Sequence, residues 1–200
     1  MSALVDDAIA RAGLGDILAA RHTGLSEAQV ARLRASDLLV LGALADRARA
    51  EDVGPEVRIF TSEPPEEADE CLVILPREGS ELTGLELLRE VAIARIAAGG
   101  RPRVRVNWAR CGLELAQVAL GFGANELIGP IASKRGLPLA EGELLGVGKM
   151  SQRELAHVVK RRELAACVER GGRVPVFVVP GGQPERAIEE SGSEALQEAT

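Results

Sequence analysis

The sequence predicts an α/β fold in which helices flank a mostly parallel β-sheet. Short apolar runs alternate along the chain with longer patterns of helical period, as they do where helical crossovers join parallel strands. The run at 71–75 is continuously apolar, which is typical of a strand buried on both faces of a parallel sheet. Residues 103–130 follow the order strand, turn, helix and strand, which predicts one complete βαβ unit.

The first part of the chain carries helical patterns and no strand pattern. Ser26 and Gln29 form a capping box, in which each side chain satisfies a backbone N–H at the start of the helix. Ser36 is expected to cap the following helix, whose leucines supply a core-facing side. Residues 1–55 are therefore predicted to be an N-terminal helical segment.

Strand and helix patterns alternate from residue 56 onward. Val57–Phe60 alternates apolar and polar residues, as a short strand does, and Thr83–Glu86 is a second capping box that opens a helix. Ser151–Glu154 is a third capping box with a helix behind it. The apolar stretch at 173–179 is expected to be a last strand, which Pro175 restricts to a sheet edge or an extended segment.

The length of the chain limits how many strands the sheet can hold. A closed eight-stranded barrel takes about 250 residues, whereas this chain has 200 residues and begins with helices. We therefore expect a partial, open TIM-barrel-like parallel sheet of about five strands over residues 56–180. The polar residues 181–200, rich in Gly and Glu, are expected to be a disordered tail.

Composition argues against several classes of function. The formal net charge is −6 and only 2% of residues are aromatic, so no basic surface or base-stacking platform for nucleic acid is expected. No run of about 18 apolar residues occurs, so no membrane span is expected. The three cysteines are far apart and the acidic N-terminus does not resemble a signal peptide, so we expect a cytoplasmic location.

Four residues of the predicted βαβ unit are candidates for ligand binding: Asn107, Trp108, Asn125 and Glu126. The Asn125–Glu126 pair is expected at a strand end, where parallel sheets bind ligands. A turn-forming Asn beside a solvated Glu fits the same pattern. Trp108 either covers a ligand or fills the core.

Glu126 and Cys111 are the candidate catalytic residues. Cys111 is expected at a helix N-terminus, where the helix dipole would lower the pKa of its thiol, and the alternative is a small buried residue. His22, His157 and the scattered cysteines lack the spacing of metal ligands, so no metal site is expected. Lys149 follows a glycine but lacks the spacing of a phosphate-binding loop.

Residues 103–130 contain an ordered set of residues: Trp108, Gly112, Leu115–Gln117, Leu120, Gly123–Asn125 and Gly129. This set resembles the C-terminal barrel part of a radical-SAM family, which includes aminofutalosine synthase, dehypoxanthine futalosine cyclase and the synthases of the deazaflavin cofactor precursor. Two flanking segments also resemble that family: Ser36–Arg49 its N-terminal helix, and SQRELAHVV with GGRVPV its C-terminal helix and the segment after it.

The resemblance implies a 4Fe–4S cluster, S-adenosylmethionine and a role in menaquinone biosynthesis by the futalosine pathway. The chain departs from the family where the cluster would bind, because Val57–Phe60 leads into TSEPPEEADE and not into a CxxxCxxC loop. The strand-end motif also differs, since Glu126, Ile128 and Pro130 stand where the family has Asp, Gly and Thr. We therefore expect no cofactor.

Three functional hypotheses follow. The first is a degenerate, cluster-less relative of the radical-SAM enzymes that binds a small molecule or a partner protein, such as a radical-SAM protein, without catalysis. The second is a small α/β enzyme that uses the strand-end cleft around Glu126 and Cys111. The third is a structural subunit that completes its open sheet by homo-oligomerisation, because unpaired sheet edges favour pairing.

Overall fold

The computed structural model describes residues 3–60, 72–77, 79–97, 102–132, 138–139, 159–178 and 185–186. The described helices are α1 (Ala3–Arg11), α2 (Gly15–Ala20), α3 (Glu27–Ala35), α4 (Leu38–Asp52), α5 (Gly84–Ala97), α6 (Trp108–Cys111), α7 (Leu113–Leu120) and α8 (Arg161–Arg170). The described strands are β1 (Glu56–Phe60), β2 (Leu72–Leu75), β3 (Arg103–Asn107), β4 (Glu126–Ile128), β5 (Ile131–Ala132), β6 (Pro138–Leu139), β7 (Val159–Lys160), β8 (Val174–Val178) and β9 (Glu185–Arg186).

The main sheet contains five parallel strands in the order β2-β3-β4-β1-β8, and β9 pairs antiparallel with β8. A second, small sheet has the order β6-β5-β7. Within the described ranges the main sheet ends at β2 and β9 and does not close into a barrel. The prediction of an α/β fold with an open, partial TIM-barrel-like parallel sheet is confirmed.

Helices α4, α5, α7 and α8 pack on the same face of the main sheet. The steps from β2 to β3, from β3 to β4 and from β4 to β8 all run in one direction, and right-handed crossovers then place their helices on one side. Alternate strand residues face these helices and are fully buried among their apolar side chains, as Val57, Ile59, Val104, Val106 and Leu127 are. The other residues of β1, β3 and β4 point to the opposite face of the sheet.

The N-terminal helices begin at caps that the sequence predicts only in part. The capping box is confirmed, since the Ser26 N–H donates to Gln29 Oε1 at 2.9 Å and the Gln29 N–H donates to Ser26 Oγ at 3.3 Å. The prediction that Ser36 caps α4 is wrong, because Asp37 Oδ1 accepts the N–H groups of Leu39 and Val40. A carboxylate is favoured there by the positive end of the helix dipole.

The C-terminal part of the described chain differs in two places from the elements that the sequence predicts. Val159–Lys160 forms β7 and α8 begins at Arg161, later than the expected helix, whose capping box lies outside the described residues. Strand β8 lies between β1 and β9, so Pro175 does not place it at an edge. Pro175 is tolerated because β9 pairs with Val176 and Phe177 only.

Several predictions fall wholly or partly on residues that the structure does not describe. Cys71, Lys149 and His157 lie outside the described residues, as does most of the tail at 181–200. Within that tail, Glu185–Arg186 forms β9. No helix in the described part of the chain has the length and apolar character that a membrane crossing requires.

Candidate functional site

Glu126 is fully buried and opens strand β4, so it lies at the amino end of that strand. The Asn125–Glu126 pair thus lies at a strand end as predicted, but at the amino end and not at the carboxyl end, where parallel sheets bind ligands. Asn125 belongs to the connection that leads into the strand, and Glu126 is the first residue of the strand. The strand register places Glu126 directly between Arg105 of β3 and Arg58 of β1.

Three guanidinium groups surround the carboxylate of Glu126. Oε1 accepts a hydrogen bond from Arg103 Nε at 2.8 Å, and Oε2 accepts one from Arg105 Nε at 2.9 Å. Arg58 Nη1 lies 3.5 Å from Oε1, which makes it the longest of the three ion pairs. Hydrogen bonds between ionised groups are stronger than those between neutral groups. The carboxylate of Glu126 therefore connects β4 to β3 on one side and, by the longer ion pair, to β1 on the other.

The alternation of β-strands explains why these residues meet. Successive side chains of a strand point to opposite faces, so Arg103 and Arg105 share the face opposite to the helices, and Glu126 and Arg58 join them in the adjacent strands. Phe60 shares this face as well. We call this set of five residues the arginine face.

Phe60 lies beside two of the positive charges. The guanidinium carbon of Arg105 lies 4.1 Å from the centre of the Phe60 ring, and that of Arg58 lies 5.3 Å from it. The negative face of an aromatic ring attracts cations, so the ring offsets part of the repulsion between the two arginines. The arginine face is therefore an organised cluster and not an accidental group of surface charges.

The three arginines differ in their contact with solvent and in hydrogen bonding. The exposed fraction of the side chain is 2% for Arg105, 17% for Arg103 and 43% for Arg58. Arg105 Nη2 lies 2.8 Å from Glu126 Oε2, but its direction leaves it without a hydrogen bond. A buried donor without a well-directed hydrogen bond is unusual in folded proteins, and this one is held only by its ion pair with Glu126.

Asn125 faces away from the arginine face and has a structural role. Its Oδ1 accepts the Val104 N–H at 2.9 Å and Arg95 Nη2 at 2.5 Å. Arg95 is 1% exposed and also donates to the carbonyl groups of Gly123 and Pro102. Asn125 therefore joins the turn before β4 to helix α5 and strand β3.

Asn107 and Trp108 lie at the other end of the β3–β4 pair. Asn107 pairs with Ile128 in register and caps α6 by accepting the Ala109 N–H at 2.9 Å. Trp108 is fully buried and packs on Gly129. The four candidate ligand-binding residues thus divide between the two ends of the sheet and do not form one site.

Cys111 ends helix α6 and directly precedes Gly112, the N-cap of α7, so it lies beside a helix N-terminus as predicted. Burial raises the pKa of its thiol to about 11, and the thiol donates to the Asn107 carbonyl at 3.3 Å. The expectation of a lowered pKa is wrong, because burial of the thiol disfavours the charged thiolate. A protonated thiol at neutral pH is a poor nucleophile.

The described residues do not fit a 4Fe–4S cluster, which thiolates must hold. Cys111 and Cys167 lie in separate helices, and burial raises the pKa of both thiols. No group of three His, Cys, Asp or Glu side chains in the described residues could hold a metal ion. We derive no chemistry through such a cluster.

A groove of about 440 Å³ lies elsewhere, between α7 and α8. It is lined by residues that include Gln117, Cys167, Arg170 and Arg173, and by none of the predicted site residues. The Arg173 side chain donates to Asp46 Oδ1 at 2.7 Å and to the Leu120 carbonyl at 2.9 Å. Its guanidinium therefore links helix α4 to the end of helix α7.

Comparison with known proteins relates part of the chain to an enzyme. A stretch of 94 residues, 47% of the chain, is 33% identical to aminodeoxyfutalosine synthase from Thermus thermophilus. The chain is distantly similar to that enzyme. The matched stretch is 22% of the enzyme, so the chain spans about a fifth of the length of this curated relative. No protein-family model matches the chain.

Sequence reasoning identified Glu126 and missed its partners. Arg103 and Arg105 alternate with Val104 and Val106, and this alternation predicts the strand as well as a charged face. The signal for a site is a pair of arginines at alternate positions of one strand, a single arginine in a second strand and a Glu that opens a third. Nothing in the sequence says that Arg58 would be the neighbour of Glu126, because the strand order brings β1 beside β4.

Proposed function

We propose that this chain is a divergent, non-catalytic relative of aminodeoxyfutalosine synthase that binds a small molecule on the arginine face. The observation that carries the proposal is the convergence of Arg58, Arg103 and Arg105 on the buried carboxylate of Glu126. Burying charged groups is costly unless they are paired, so such a cluster is often retained for a function.

The similarity to aminodeoxyfutalosine synthase supports a place beside the futalosine route to menaquinone. The sequence lacks the cysteine triad of the radical-SAM enzymes, and the described thiols do not fit a cluster. The role that remains is that of a binding or regulatory protein which recognises a metabolite or a protein of that pathway.

The candidate catalytic side chains are poorly placed for turnover. Both oxygens of Glu126 accept hydrogen bonds from arginines, which leaves the carboxylate little freedom to act as an acid or a base. Burial keeps the Cys111 thiol protonated at neutral pH. The hypothesis of an enzyme built on Glu126 and Cys111 therefore has the weaker support.

Calorimetric titration of the purified chain with aminodeoxyfutalosine tests the proposal. We expect saturable binding at one site per chain, with the ligand recovered unchanged after incubation with S-adenosylmethionine under anaerobic conditions. The chain is first treated with iron and sulfide, as for a radical-SAM enzyme. Absorption by a 4Fe–4S cluster together with consumption of S-adenosylmethionine would overturn the non-catalytic role, and absence of binding would overturn the binding role.

A second candidate function, assembly through the sheet edge, is favoured by strand β2. It is the outer strand of the main sheet as described, and Ile74 on it is 40% exposed. Exposed apolar edge strands favour pairing with another chain. Sedimentation equilibrium would show a dimer that Ile74→Lys dissociates and Val118→Lys, at an exposed position of α7, does not. A monomeric wild-type chain contradicts this candidate.

A further inference from the structure

We infer that the ligand of the arginine face presents an oxyanion, a carboxylate or a phosphate group, and that Arg58 and Arg105 bind it. The inference rests on the proposed function and adds the chemical class of the ligand and the residues that bind it. Three features of the molecule support it: the geometry around Glu126, the hydrogen bonding of Arg105 and the exposure of Arg58.

Glu126 retains its partners if Arg58 turns toward a ligand. Arg103 Nε and Arg105 Nε already bond its two oxygens at 2.8 and 2.9 Å, whereas Arg58 lies at 3.5 Å from an oxygen that Arg103 occupies. Moving Arg58 therefore removes the weakest contact of the cluster. A guanidinium carries five N–H donors, of which the contact with Glu126 uses few.

Arg105 supplies a second, buried donor for the same ligand. Its Nη2 lies 2.8 Å from Glu126 Oε2 in an ion pair but has no well-directed hydrogen bond within the structure as described, and only 2% of the side chain is exposed to solvent. Leaving such a donor unsatisfied costs free energy, which an oxygen acceptor would recover. A ligand oxyanion provides this acceptor together with a negative charge that compensates the arginines.

The Phe60 ring positions both guanidinium groups for one ligand. It lies within 5.3 Å of Arg58 and 4.1 Å of Arg105, so the two cations share one aromatic neighbour. An oxyanion next to this ring would contact both arginines at once. Planar guanidinium groups match the two oxygens of a carboxylate or phosphate, which an ammonium group does not do.

Solvent reaches the arginine face from the amino ends of β1 and β8. Arg58 is the half-exposed member of the cluster, and Val174 on the neighbouring strand is 40% exposed. Glu56 and Val174 pair in register at the same end, and both are exposed. The entrance therefore differs from that of closed barrels, whose sites open at the carboxyl ends of the strands.

Three small probes test the inference by calorimetry: benzoate, inorganic phosphate and neutral benzamide, with aminodeoxyfutalosine titrated in parallel. We expect the wild-type chain to bind benzoate or phosphate and not benzamide, with affinity that falls as salt is added. Arg58→Gln is expected to weaken anion binding about tenfold or more, because a charge-assisted hydrogen bond is lost. Arg58→Lys, which keeps the charge without the planar group, is expected to lie in between.

Arg47→Gln is the matched control. Arg47 lies on α4, pairs with Asp6 and Glu51, and has a side chain that is 34% exposed, close to the exposure of Arg58. This variant is expected to bind the probes as the wild type does. Thermal melting by circular dichroism verifies that each variant is folded, and Arg58→Lys serves for the comparison if Arg58→Gln is not.

The outcomes separate the ligand class from the proposed function. Equal binding of benzamide and benzoate, or anion binding unchanged in Arg58→Gln, overturns the inference and leaves the binding role intact. Failure of aminodeoxyfutalosine and of all three probes to bind overturns both. Binding of benzoate alone or of phosphate alone supports the inference and identifies which oxyanion the arginines recognise.

Discussion

Arg95 Nη2 in helix α5 donates a hydrogen bond to Asn125 Oδ1 at 2.5 Å, and this contact fixes the chain immediately before Glu126. The same guanidinium donates from Nε to the Gly123 carbonyl at 2.7 Å and from Nη1 to the Pro102 carbonyl at 2.5 Å. Burial lowers the pKa of Arg95 to about 10, so the side chain stays cationic at neutral pH. Arg95, on the helical side of the sheet, thus helps to hold Glu126 in its position on the arginine face.

Replacing Arg95 by leucine is expected to destabilise the protein by about 3–5 kcal/mol, because three buried acceptors each lose a hydrogen bond from the guanidinium. Urea unfolding monitored by circular dichroism measures this loss. Arg34→Leu is the control, since Arg34 has a 56% exposed side chain and pairs with Glu90 on the surface. Its expected cost is below about 1 kcal/mol. Equal losses for the two variants would contradict the structural role of Arg95.

Gly129→Ala is expected to destabilise the fold by about 1–3 kcal/mol or more, because the added methyl group meets a fixed indole ring. A Cβ at this position would lie 2.5 Å from Trp108 Cδ2 and 2.6 Å from its Nε1. Trp108 is the only tryptophan, so its fluorescence reports the repacking directly. Gly15→Ala, where a Cβ meets nothing within 4 Å, should leave both stability and fluorescence nearly unchanged.

Glu126→Gln is expected to cost about 3 kcal/mol of stability, because the arginines lose the charge that pairs them. Urea unfolding tests this, and added phosphate should recover part of the loss by supplying an oxyanion. Glu114→Gln, on the exposed side of α7, is the control and should behave as the wild type. Wild-type stability of the Glu126 variant would show that the carboxylate does not organise the arginine face.

Because burial raises the pKa of the Cys111 thiol, we expect the free energy of unfolding to fall in alkali. Burial raises its pKa from 9.0 to about 11, so between these values the folded chain keeps a proton that the unfolded chain has released. Its stabilising contribution is fully present below the unfolded pKa and is lost as the pH rises through the folded pKa. The difference in unfolding free energy between the wild type and Cys111→Ser should shrink from about pH 8 to about pH 11. A difference that stays constant would contradict this assignment.

The fold was largely predictable because its signals are local. Alternation at 57–60 and the capping boxes at Ser26 and Thr83 each depend on neighbouring residues, and the structure contains the strand and both caps. The apolar run at 71–75 predicts a strand, which is present at Leu72–Leu75. The burial on both faces that this run predicts is wrong, because β2 is the outer strand of the sheet as described and Ile74 is 40% exposed. The cap at Asp37 was missed because Ser36 and Asp37 are both good caps, and the sequence does not say which one ends the preceding helix.

The site was less predictable because it depends on strand order. Glu126 and Arg58 are far apart in sequence and meet only because β1 lies beside β4. Asn125 was grouped with Glu126 as a neighbour in sequence, yet adjacent residues of an extended chain point to opposite sides. The direction of each side chain, and with it the role of Arg95, follows from tertiary packing that no local pattern encodes.

Nuclear magnetic resonance of the arginine Nε–H groups during titration with benzoate tests the location of the site most directly. The signals of Arg58 and Arg105 are predicted to shift with saturation, while those of Arg173, beside the groove between α7 and α8, stay in place. Saturable shifts at Arg173 with unchanged signals from Arg58 and Arg105 would contradict binding at the arginine face.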